Sequence, residues 1–90
     1  MLRTDTNDNA DAVALSALVW TLAEPDRAAR LLATTGLDPE DLRARVGDPV
    51  VLAAALGFLE AHEPDLVACA AALDTKPESL VAARAALEVR

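Results

Sequence analysis

The sequence predicts an all-α fold, a compact bundle of five to six short helices. Three observations carry this. Alanine and leucine dominate a chain that is 53% hydrophobic, and both are strong helix formers. Strand-favouring aromatics are nearly absent: Trp20 and Phe58 stand alone and there is no tyrosine. Finally, all five prolines follow or precede an acidic residue at an interval that suits a helix start. Ninety residues make one domain, expected over residues 9–90, behind a loose polar tail at residues 1–8.

Asn9 reads as the N-cap of a first helix over residues 10–23, with Asp11 at the positive end of its dipole. Between Ala12 and Ala23 only Ser16 and Thr21 are polar, so this helix should be buried or should meet a partner. Glu24-Pro25-Asp26 starts a second helix, to Thr35, with Leu31 and Leu32 inward and Arg27 and Arg30 outward. Gly36 suits the left-handed position that ends it. Asp38 caps a short third helix with Pro39 in its first turn, Leu42 and Val46 on one face, and Gly47 as its end. Asp48-Pro49 opens a fourth, to Ala61. It is charge-free from Val50 to Leu59 and is expected to be the most deeply buried. Gly57 costs about 1 kcal/mol in a helix interior relative to alanine, and a close helix crossing is its expected use. Glu63-Pro64-Asp65 opens a fifth helix, to Leu73. Thr75-Lys76-Pro77-Glu78 opens a sixth, to Glu88, with Leu80, Ala83 and Leu87 inward.

The two halves resemble each other. Glu24-Pro25-Asp26 recurs 39 residues on as Glu63-Pro64-Asp65, Pro39-Glu40-x-Leu42 recurs 38 residues on as Pro77-Glu78-x-Leu80, and Asn9 and Asp48 are 39 apart. Two readings stay open: a duplicated three-helix unit with the first and fourth helices as the central pair, or independent use of the same helix-start residues.

Charge and reactive groups narrow the function. The net charge is −7, and residues 46–75 hold five acids and no lysine or arginine. Such a surface repels phosphate backbones, so nucleic acid is not the expected partner. His62 and the lone Cys69 fall short of the three or four ligands of a zinc site. They also fall short of a nucleophile, base and orienting group. Ser16 and Ser79 have no histidine near in sequence, and Glu40 and Asp41 are explained by a helix start. No enzyme activity, metal, cofactor or small-molecule ligand is therefore expected. The start of the chain lacks an apolar export core, its apolar runs are shorter than the roughly 20 residues a bilayer needs, and a cytoplasmic location without membrane association is expected.

What remains is surface. Trp20 and Phe58 are either core residues or anchors at an interface. Arg27, Arg30, Arg43 and Arg45 either form a docking patch across the second and third helices or pair with Asp26, Glu40 and Asp41. More apolar helix surface is present than a bundle this small can enclose, which points to an interaction or regulatory module that binds another protein or itself, as a homodimer. The alternative is a nucleic-acid-associated regulator using the second and third helices as a helix-turn-helix-like pair.

The order and spacing of Ala12-Val13-Ala14-Leu15-x-Ala17-Leu18, Thr35-Gly36-Leu37-Asp38-Pro39-x-Asp41-Leu42-Arg43, Gly47-Asp48-Pro49 and Ala82-Ala83-Arg84 resemble a family of small bacterial helical proteins catalogued as a domain of unknown function. The resemblance covers roughly residues 10–87. It implies an all-helical fold and carries over no functional residue.

Overall fold

Proline sets five of the helix starts. The computed structural model describes residues 4–89, and six helices fill them: α1 (Thr4–Leu22), α2 (Pro25–Thr35), α3 (Pro39–Ala44), α4 (Pro49–Glu60), α5 (Glu63–Ala72) and α6 (Pro77–Glu88). Each of α2 to α6 has proline in its first two positions, where the missing N–H costs nothing. Three of them are also capped by carboxylates. Glu24 accepts from the Arg27 N–H at 3.0 Å, Asp38 from the Asp41 N–H at 2.8 Å, and Asp48 from the Val50 N–H at 2.9 Å. At the other end of α2, Gly36 is left-handed (φ 77°) and its N–H reaches the Leu32 carbonyl at 2.9 Å. The end of α5 solves the same problem without glycine. Asp74 takes φ 58°, with Thr75 N–H on the Ala70 carbonyl (2.9 Å) and Asp74 N–H on the Ala71 carbonyl (3.2 Å), the paired bonds of a Schellman ending.

Three sequence expectations need correction. Helix α1 starts at Thr4, so residues 4–8 are helical where a loose tail over 1–8 was expected, and Asn9 lies inside the helix instead of capping it. No proline or glycine interrupts that stretch. Residues 1–3 lie outside the described residues. Gly57 does not serve a close crossing: a Cβ there would meet only the Arg84 Cδ, at 3.8 Å. And the halves do not share a cap register. Pro25 follows its cap Glu24 directly, whereas Glu63 is already helical behind cap His62, with Pro64 one position further in. Only the Pro39 and Pro77 starts coincide, each directly after its cap. The repeated tripeptides are therefore the same residues used at different positions.

Helices α1, α4 and α6 pack on one another as the central trio, α2 and α5 lean on both α1 and α4, and α5 also meets α6. The expected α1–α4 pair thus has a third member. The Cα radius of gyration, 12.2 Å, is what one domain of this length gives, about 12 Å. Leu18, Leu31, Leu56, Leu59 and Leu80 are sealed at its centre with Thr21 and Cys69. The buried Thr21 hydroxyl donates to the Ala17 carbonyl at 2.8 Å, so no polar group is stranded there. Helix α3 stands aside and contributes only Leu42 to the buried set.

Candidate interaction surface

Two of the apolar helices treat their outward sides differently. Around α4, what faces out is mostly small: Ala53, Ala54 and Gly57 line a shallow trough against α6, with Val50 at one end. Arg84 crosses the other end, bonded to Glu60 and, at 2.7 Å, to Glu88. These carboxylates hold the Arg84 guanidinium above its ordinary pKa, Glu60 by its hydrogen bond most of all. On α1, branched aliphatics face out. Leu15, Val19 and Leu22 are 42%, 60% and 37% exposed and, at spacings of four and three, form one row roughly 10 Å long. Ala12, Ser16 and Ala23 flank it, also exposed. No charged residue occurs from Ala12 to Ala23.

The row does not stop at the end of α1. Leu22 also lines a groove of about 400 Å³ together with Ala28 and Leu32 of α2, Pro39, Leu42 and Arg43 of α3, and Val46 in the turn after α3. Isolated exposed aliphatics are ordinary; here Leu15, Val19 and Leu22 are contiguous and run into the groove.

The residues singled out from sequence are not gathered there. Phe58 is buried in α4. Trp20 is half-buried, packed against the core, and its outer face is covered by Arg27, whose guanidinium carbon sits 3.6 Å from the ring centroid. Arg27 was expected to face out. It folds back instead because it caps α1: its Nη2 donates to the Trp20 carbonyl at 2.7 Å, a last-turn carbonyl that otherwise takes only a longer bond from the Ala23 N–H at 3.3 Å. Arg30 reaches Asp65 at 3.0 Å, joining α2 to α5, and Arg45 reaches Asp48 at 3.2 Å. None of these partners is Asp26, Glu40 or Asp41. Arg43 alone of the described arginines has no hydrogen bond or ion pair among the described residues. The four guanidiniums therefore do not form one open basic patch.

Reactive groups are quiet. Burial pushes the Cys69 thiol up to about 11, more than nearby Arg27 draws it down, so at neutral pH it is a protonated core residue. Partial burial raises the Asp65 carboxyl, but Arg30 and His62, whose Nδ1 lies 3.0 Å away, outweigh it and hold its pKa below the ordinary value. The N–H of Val50, with help from Arg45, does the same for Asp48. Among the described residues no three His, Cys, Asp or Glu side chains are placed to share a metal ion, and no helix is long and apolar enough to cross a membrane.

The sequence missed the α1 row because a helix apolar nearly all round has no periodic contrast to orient it. The one available signal was the contrast between the branched residues at 15, 19 and 22 and the alanines at 10, 14 and 17.

Fold and surface together define a class: an α-domain of six helices among the described residues, with an exposed, uncharged aliphatic row along the first. Within that class the chain belongs to the family described as "Protein of unknown function (DUF3572)", whose model matches residues 7–90. No curated protein and no solved structure matched the chain.

Proposed function

We propose that this protein is a helical interaction module without catalytic activity of its own, and that it self-associates through the exposed face of α1. The observation that carries the reading is the uncharged aliphatic row Leu15–Val19–Leu22. Two copies that each carry a charge of −7 repel at most orientations. From Ala12 to Ala23 the α1 face carries no charged side chain, so copies that meet along this stretch oppose apolar surface to apolar surface, and a twofold arrangement would set the row against its own copy. Small flanking residues, Ala12, Ser16 and Ala23, allow the two helices to come close. The burial that keeps the one cysteine, Cys69, protonated at neutral pH fits a packing role for it. Light scattering on a dilution series tests this: the mass should rise from one chain toward two as concentration increases. A constant single-chain mass up to millimolar concentration would remove self-association from the proposal.

A further inference from the structure

The groove where the α1 row ends has a chemistry of its own. Helices α1, α2 and α3 line it, with Val46 in the turn after α3; Leu42 is buried there, while Leu22 and Val46 are exposed. Arg43 is the only charged residue lining it, and that guanidinium is unengaged among the described residues while Arg27, Arg30, Arg45 and Arg84 are each bonded. A positive group left open beside an apolar groove, in a chain of charge −7, is complementary to a single carboxylate flanked by aliphatic side chains.

The shape narrows the occupant. Helical walls offer no unpaired strand edge, which excludes strand addition. The lining has no aromatic residue, which a polyproline segment would need. The groove is open, with one polar group, where small-molecule sites enclose their ligands.

We propose that this groove receives an amphipathic helix of a partner protein, with aliphatic side chains at i, i+3 or i+4 and i+7 laid along Leu22, Leu32 and Val46 and a carboxylate paired to Arg43. The rest of that partner helix is neutral or basic, because the overall field of the chain repels further acids. The inference rests on the reading of the protein as an interaction module but not on its self-association, since the groove shares only Leu22 with the α1 row.

Selection from a phage-displayed library of random helix-forming peptides tests it, with the full chain as bait. The expected result is enrichment of peptides with aliphatic residues at helical spacing and an Asp or Glu at a fixed offset. Capture should fall about ten-fold or more for Arg43→Glu, which removes one good charge-assisted contact, and for Val46→Asp, which sets a carboxylate against the aliphatic side of the peptide. Both residues are exposed, and unchanged thermal melts confirm that the variants fold. Peptides selected on Arg43→Glu should carry Lys or Arg in place of the acid. A Val19→Asp bait, altered only on the α1 row, should still capture the same peptides, which separates this claim from self-association. No enrichment, enrichment indifferent to Val46 and Arg43, basic peptides on the unaltered chain, or crosslinks that place a second copy in the groove would each overturn the proposal.

Discussion

From Ala12 on, α1 is built largely of alanine, leucine and valine, as is α4, yet only α4 is finished by the fold. In α4, Val51, Leu52, Ala55, Leu56, Phe58 and Leu59 are buried, and apart from Val50 the residues left outside are small or belong to the Arg84 ion pairs. In α1 the buried side is largely alanine (Ala10, Ala14 and Ala17) with Leu18, while larger aliphatics are turned to solvent. A helix that only needed to pack would place its large residues inward and its small ones outward, as α4 does. In α1 the alanine side packs against α4 and α6 together with Leu18, and Leu15, Val19 and Leu22 are left exposed. Composition therefore says how much apolar surface a helix has. Which residues point outward says whether the fold has used it.

The sharpest break of the comparison is at the centre of α4. Leu56→Ala should cost about 2–5 kcal/mol, because the side chain is fully buried and the closely packed trio cannot collapse around the gap. Urea denaturation would show this as a lower midpoint, whereas Val19→Asp on α1, compared at concentrations where the wild type is a single chain, should leave the midpoint nearly unchanged, within about 0.5 kcal/mol.

Arg27→Ala comes next, at about 1–3 kcal/mol, since it removes the charge at the end of α1, the contact over Trp20 and a hydrogen bond to a carbonyl that then lacks its charged donor. The same variant should change Trp20 fluorescence, because the outer face of the ring opens to water.

A smaller effect has the opposite sign. Gly57→Ala should stabilise by about 0.5–1 kcal/mol: the backbone is helical, the new methyl meets only Arg84 Cδ at ordinary contact distance, and a flexible residue leaves the unfolded chain. A lower melting temperature would instead mean that the trough beside α6 requires the missing side chain.

How much of this could be read in advance depended on whether the determining contacts were local. Helix starts at Pro25, Pro39, Pro49 and Pro77 were legible because a cap and its proline are neighbours in sequence, and the Gly36 ending was legible for the same reason. Helix α5 shows the limit, since the same Glu-Pro-Asp tripeptide that starts α2 sits one position further in behind His62. The α1 row was not legible, because uniform hydropathy gives a helix no direction. Nor was the Arg27–Trp20 contact, which joins residues seven apart across a helix break and depends on the angle at which the chain turns at Glu24. The arginines were expected either to form one patch or to pair with Asp26, Glu40 and Asp41; the partners of Arg30 and Arg45, Asp65 and Asp48, come instead from tertiary packing and a turn.

The smallest effect concerns pH and the link between α2 and α5. Asp65 has a folded-state pKa held below its ordinary value, mainly by Arg30 and then His62 against the opposing effect of burial. A lowered carboxyl contributes stability that is present above its unfolded pKa, about 3.9, and is lost as pH falls below that value through the folded one. Thermal melts of Asp65→Asn should therefore be less sensitive than the wild type to acidification below about pH 4, and a parallel decline in both would show that the pair contributes nothing measurable.

The outward row of α1 is tested most directly by sedimentation equilibrium of the wild type beside two single variants, Val19→Asp on α1 and Val67→Asp at an exposed position of α5. Each adds one acid, so charge alone cannot distinguish them. Association in the wild type, retained in Val67→Asp and abolished in Val19→Asp, is the predicted result. Equal loss in both variants, or a wild type that stays a single chain throughout, would contradict the assignment of α1 as the contact face.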